Sequence, residues 1–115
     1  MSAASQVCVG IFDDNDLVRS VLRRTLEPLG LTIQEFERAD VDGLDLSEMR
    51  MVIVDVEMPG DSHAVARIAA EQGVKVVRHS SLDWDQIPLS ARGDAYIPKP
   101  CRVAHIRYTI QQLLS

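Results

Sequence analysis

The stretch QVCVGIFDDND (residues 6–16) decides how the chain is read. Residues 6–12 are a short apolar run rich in β-branched side chains, the pattern of a buried strand. The run ends on two adjacent carboxylates, Asp13 and Asp14. Two such charges side by side repel each other unless water, a cation or hydrogen-bond donors surround them. A turn or a helix N-cap is the ordinary explanation, since Asp and Asn suit both. The remaining sequence has to choose between punctuation and a metal site.

Downstream, NDLVRSVLRRTLEPLG places Leu17, Val18, Val21, Leu22 and Leu26 at three- and four-residue spacing, which predicts an amphipathic helix closed by Pro28 and Gly30. LTIQEFE (31–37) alternates as a second strand. DVDGLDLSEM (40–49) permits only a short helix before RMVIVDV (50–56), whose core 51–54 is the most strand-like run in the chain. DSHAVARIAAEQG (61–73) predicts a helix capped by Asp61 or Ser62 and stopped by Gly73. VKVVRHS (74–80) is a fourth strand and AYIP (95–98) a brief fifth. RVAHIRYTIQQLL (102–114) sets Val103, Ile106, Ile110 and Leu113 on one face of a last helix. Strands alternating with helices imply parallel strands joined by crossovers, so the fold class is α/β with five strands.

Composition narrows the function classes. With 115 residues and 46% hydrophobic content, the chain suits one domain with its own core. A net charge of −5 and 4% aromatic residues argue against nucleic-acid binding, which needs a basic face or a stacking platform. Cys8 and Cys101 lack any CxxC spacing and read as buried, reduced thiols, consistent with a cytoplasmic protein. MSAASQ has no signal-peptide pattern, and no run reaches the length of a membrane span.

Functional groups of open α/β sheets gather beyond the carboxyl ends of the strands. Those ends here are Asp13–Asp14, Asp55, Ser80–Ser81 and Lys99. Any one of them is adequately explained as a turn former or a solvated strand end. All of them at strand ends in one small chain point instead to metal-assisted phosphoryl transfer. A hard cation such as Mg²⁺ takes oxygen ligands and keeps several waters, so a few carboxylates hold it without a closed cage. Lysine and hydroxyl groups stabilise the remaining phosphoryl oxygens, and a carboxylate, here Asp55, accepts the group as an acyl phosphate.

DDNDLVRSVLRRTLEPLG, MVIVDVEMPG, VVRHSS and AYIPKP together resemble the receiver domain of bacterial two-component response regulators, over essentially the whole chain. The resemblance implies a flavodoxin-like (βα)5 fold with strand order 2-1-3-4-5. It implies that residues 1–115 are a single, stand-alone receiver with no output domain, a phospho-accepting signalling protein rather than an enzyme with a metabolite to turn over. Asp55 is then the phospho-acceptor, served by a histidine kinase or histidine phosphotransfer protein. Asp13, Asp14, Asp55 and the backbone carbonyl of Glu57 hold Mg²⁺, and Lys99 pairs with the phosphoryl group. Ser80 stands at the switch hydroxyl position and Tyr96 at the switch aromatic position. The Lys99–Pro100 bond resembles one that is cis in this family. The output is phosphorylation-dependent binding of a downstream protein, with neither nucleic acid nor membrane as partner, by a monomer or weak homodimer. On this resemblance the paired aspartates are a magnesium seat.

The chain also departs from the family pattern. MPGDSHAVAR lacks a glycine common after M-P-G, and the Asp55–Ser80 interval is short, so the third helical region is expected to be trimmed. Pro88 in LDWDQIPLSARG is expected to break or shorten the fourth helix. Trp84 is then either an exposed contact or a plug for that shortened helix. Arg78 and His79 replace apolar residues and read as polar side chains on a partly exposed strand face. Pro98 fits a fifth strand only at a sheet edge. Two alternatives stand beside the leading reading. One is a pseudo-receiver, a protein-interaction module with no phosphorylation. The other is a phosphohydrolase of the haloacid dehalogenase type, which fits poorly because Glu57 stands where that class needs a second aspartate.

Overall fold

The strand read from residues 6–12 is observed as β1 (Val7–Phe12) in the computed structural model, which describes residues 7–115; Gln6 lies outside the described residues. The other strands are β2 (Leu31–Phe36), β3 (Met51–Asp55), β4 (Lys75–Ser80) and β5 (Ala95–Pro98). They form one parallel, flavodoxin-like sheet in the order β2-β1-β3-β4-β5. All five residues of β3 are buried, which is why that run is unbroken and apolar: both faces of a central parallel strand are covered. β5 is an edge strand, and this lets Pro98 stand in it without a ladder donor.

Helix α1 (Asp16–Leu26) starts where the Asn15 side chain accepts from the amides of Leu17 and Val18, and the following 3-10 turn ends at Gly30 with φ 83°. Helix α2 (Ser62–Glu71) is capped by Asp61, whose carboxylate accepts from the Ala64 amide. Helix α3 is Val103–Leu114. One core lies between the sheet and α1 and α3, built on Val9, Ile11, Leu22, Ile53, Ile97 and Ile110. The other lies under α2 and the connecting segments, built on Phe12, Leu46, Val52, Val54, Val65 and Ile87.

Several expectations are corrected. Among the described residues three α-helices form, instead of five. Residues 40–49 hold no helix; Asp45 turns its carboxylate onto the Ser47 amide, and the Gln72 side chain takes the Leu46 amide. Such side-chain bonds offer the backbone an alternative to a helical turn. The fourth helical region is broken by Pro88 as expected, into two 3-10 turns, Trp84–Gln86 and Leu89–Ala91. On α1, Leu17 and Val21 are exposed, and the buried positions include Arg19 and Thr25. Val103 is also exposed. Cys8 and Cys101 are free thiols but only half-buried. No described helix is long and apolar enough to cross a membrane.

Candidate functional site

The carboxyl ends of β1, β3 and β5 bring Asp13, Asp14, Asp55 and Lys99 to one edge of the sheet. One carboxylate oxygen from each aspartate lies within 4.8 Å of the other two, with Asp13 and Asp55 buried and Asp14 exposed at the rim. Lys99 Nζ is 2.8 Å from Asp13 Oδ2 and 3.3 Å from Asp55 Oδ2. The Lys99–Pro100 peptide is cis.

Each carboxylate is held from its own backbone. The Asn15 amide donates to Asp13 Oδ1 at 2.9 Å, and the Glu57 amide donates to Asp55 Oδ1 at 3.2 Å. Burial pushes the Asp55 carboxyl above the usual carboxylate range; Lys99 opposes this, and the Asp13 charge adds to it. Burial works against the charged form of Lys99, but its hydrogen bond to Asp13 and the charges of Asp55 and Asp13 hold its pKa above the ordinary value. Two buried carboxylates thus share one ammonium, and a further positive charge beside them would favour their ionised forms. Three oxygens at this spacing, one of them facing solvent, suit a hard cation that retains water. The site residues fit such an ion.

Ser80 is fully buried at the end of β4, and its Oγ accepts from the Leu82 amide at 2.9 Å. The Tyr96 hydroxyl donates to the Leu82 carbonyl and lies 3.1 Å from that of Ser80, so both side chains grip the same loop. Trp84 packs edge-on against Tyr96 with ring centroids 5.6 Å apart and joins the core, so it is the plug. Ser81 and Glu57 are exposed at the mouth of the site.

Three residues behind the acids carry more of the site than the linear pattern suggests. Arg19, on α1, is buried and donates to the Asp13 carbonyl at 2.5 Å, while pairing with Asp16, Glu35 and Glu37. Arg78 and His79 are not on a partly exposed face: Arg78 is fully buried, and His79 is 6% exposed. The Arg78 guanidinium donates to the carbonyls of Val54 and Asp55. His79 pairs in register with Asp55, and its Nδ1 is buried with no hydrogen-bond partner among the described residues. Burial and the neighbouring Lys99 charge push His79 down to about 4. The parity of β4 could have flagged Arg78, since a residue two before Ser80 shares its face.

No family model and no curated protein matches the sequence. Solved structures do, and these neighbours are response regulator receiver domains. A CheY-like receiver domain protein from Methanospirillum hungatei superposes with a TM-score of 0.82 at 22% identity, covering 96% of this chain and 94% of that one. The response regulator DrrB of Thermotoga maritima gives 0.81 at 20% identity over 95% of this chain, which spans only 52% of DrrB. TrrA, also from Thermotoga maritima and solved in complex with Mg²⁺ and beryllofluoride, gives 0.76 at 21% identity, covering 94% of this chain and 99% of that one.

Proposed function

We propose that this chain is a phospho-accepting receiver. Asp55 takes a phosphoryl group from the phosphohistidine of a kinase or phosphotransfer protein, and the phosphorylated form signals by binding another protein. The observation that carries this reading is the single ammonium of Lys99 shared between Asp13 and the buried Asp55, with Asp14 beside them. The receiver fold, and the neighbour TrrA solved with Mg²⁺ and beryllofluoride, support it.

In the transfer, an Asp55 oxygen forms the new P–O bond as the P–N bond to the donor imidazole breaks, and the imidazole leaves with the bonding pair. A magnesium ion held by Asp13, Asp14, Asp55 and the Glu57 carbonyl would offset charge between the anionic acceptor and the anionic donor. Lys99, already 3.3 Å from Asp55 Oδ2, stabilises a phosphoryl oxygen. Buried Ser80 would leave the Leu82 amide to meet another phosphoryl oxygen, with Tyr96 following through the same loop. The partner would rest beside the site, on the groove between α1 and α3 lined by Leu17, Val18, Val21, Lys99, Pro100 and Ile106.

Incubation with Mg²⁺ and phosphoramidate, read by intact mass, tests this. A labile single-phosphoryl adduct is expected, absent from Asp55→Asn and absent without Mg²⁺. Failure to form it, with beryllofluoride also failing to bind, would leave a protein-interaction module that keeps the pocket but not the chemistry.

A further inference from the structure

The structure assigns Arg78 a positioning role: its guanidinium ties the carbonyl of Asp55 to the 3-10 segment that replaces a fourth helix, so that a change at Asp55 reaches residues 84–92. The functional meaning of that tie rests on the receiver reading above.

A guanidinium has five N–H donors, and Arg78 places all five on acceptors. Nε donates to the Val54 carbonyl at 3.3 Å. Nη2 donates to the Asp55 carbonyl at 3.2 Å and to Ser62 Oγ at 3.1 Å. Nη1 donates to the Ala91 carbonyl at 2.6 Å and faces His63 Nδ1 at 3.2 Å. Because a guanidinium only donates, His63 is the acceptor there and carries its proton on Nε2. None of the five acceptors is a carboxylate. A buried charge without a contacting counter-charge is expensive, so it is retained only where the hydrogen bonds hold it well.

The acceptors belong to three elements: the end of β3, the head of α2 and the Leu89–Ala91 turn. Ser62 extends the tie, since its hydroxyl donates to the Val56 carbonyl at 2.7 Å. The charge that most favours the Arg78 cation is that of Asp55 itself. A cation or phosphoryl group at Asp55 therefore changes both the field on Arg78 and the position of one of its acceptors. The 84–92 segment has little regular structure with which to resist. The route through Ser80, Leu82 and Tyr96 reaches Trp84 by the Tyr96 ring and shares no hydrogen bond with Arg78.

Trp84 is the only tryptophan in the chain, and its fluorescence reports on the segment directly. The protein is titrated with Mg²⁺ and then beryllofluoride, with binding followed by calorimetry and Trp84 emission recorded in parallel. Wild type is expected to change its emission on saturation. Arg78→Met, of similar length but with no donors, is expected to bind both while losing most of that change. Arg78→Lys keeps the charge but not the fork, and is expected to lose it too; it decides alone if Arg78→Met does not fold. A merely structural role for Arg78 would lower stability and leave the Trp84 change at saturation intact. An undiminished change in the folded variants, or binding by wild type with no change at all, overturns the proposal. If wild type binds neither probe, the receiver reading fails, and the tie itself is judged by amide exchange in the free protein. Faster exchange in Arg78→Lys at Glu57, Ala91 and Arg92 together supports it; exchange unchanged at either end overturns it.

Discussion

Lys99 sits 2.8 Å from one buried carboxylate and 3.3 Å from another, so any divalent ion entering the pocket meets a cation already present. Replacing that ammonium with an apolar side chain removes the repulsion and leaves the oxygens in place. Lys99→Met is expected to bind Mg²⁺ more tightly, on the order of tenfold or about 1.4 kcal/mol, while phosphorylation by phosphoramidate slows. Calorimetry and mass spectrometry check the two halves; an unchanged Mg²⁺ affinity would mean solvent screens the ammonium from the ion. His79 makes a second test. Its pKa falls from 6.5 in the unfolded chain to about 4 in the fold. Between those values the unfolded chain takes up a proton that the folded one refuses, so stability is lost as pH drops through that window, by up to about 3 kcal/mol. Asp55 contributes with the opposite sign, so the His79 slope is read as the difference between wild type and His79→Leu in urea unfolding from pH 7 to 4. Asp13, Asp14, Asp55, Ser80 and Lys99 were legible because strand ends are legible, and parallel strands bring their ends together. The burial of Arg78 was not, because its five acceptors come from residues 54, 55, 62, 63 and 91, and no local pattern joins them.

Among the elements, α1 shows how periodicity names a helix while naming only part of its buried face. Leu22 and Leu26 are buried as the apolar spacing predicts, yet Leu17 is 73% exposed, and Arg19 goes inside with them, satisfied by Asp16, Glu35, Glu37 and a carbonyl. With Val21, also exposed, Leu17 forms an apolar patch beside the acid pocket, the kind of surface that marks an interaction site. Leu17→Asp is expected to slow phosphotransfer from a protein donor at least tenfold, about 1.4 kcal/mol, and to leave labelling by phosphoramidate unaffected. Equal slowing with both donors would move the effect from docking to chemistry. Strands β1 to β5 were readable from apolar runs, whereas residues 40–49 and 84–91 were harder, because side-chain bonds and Pro88 compete there with helix. The loop after Asp55 is fixed by a contact that the sequence does not announce. Gly60 pairs with Ala39 and has φ 98°, and a Cβ there would lie 2.3 Å from the Ala39 carbonyl oxygen. Gly60→Ala is expected to destabilise the protein by ~2 kcal/mol or more, through left-handed backbone strain and that clash. Urea or thermal unfolding measures the difference.

At the scale of the molecule, the sheet separates two cores, and the acid pocket lies at the edge where both end. Ionised Asp55 is thus a burden on the fold as well as its proposed reactive group. Its pKa in the folded protein lies above the unfolded value, chiefly through burial, so the folded state holds the proton to a higher pH. Between the two values the folded state binds more protons, and stability must therefore rise as pH falls through the folded pKa and decline as it rises. At neutral pH and without divalent ions, Asp55→Asn is expected to be more stable than wild type, with the difference closing as acid protonates Asp55. A cation in the pocket acts in the opposite direction, because it binds the folded, ionised form. At a concentration 100 times its dissociation constant, Mg²⁺ is expected to stabilise wild type by about 2.7 kcal/mol. The variant should gain much less. Urea unfolding of both proteins, with Mg²⁺ and with EDTA, at neutral pH and at pH 5, provides the four comparisons. Equal stabilisation of wild type and Asp55→Asn would place the ion somewhere other than Asp55. A wild type more stable than the variant in EDTA would show that Lys99 compensates the buried carboxylate fully, and that the pocket needs no further cation to be at rest.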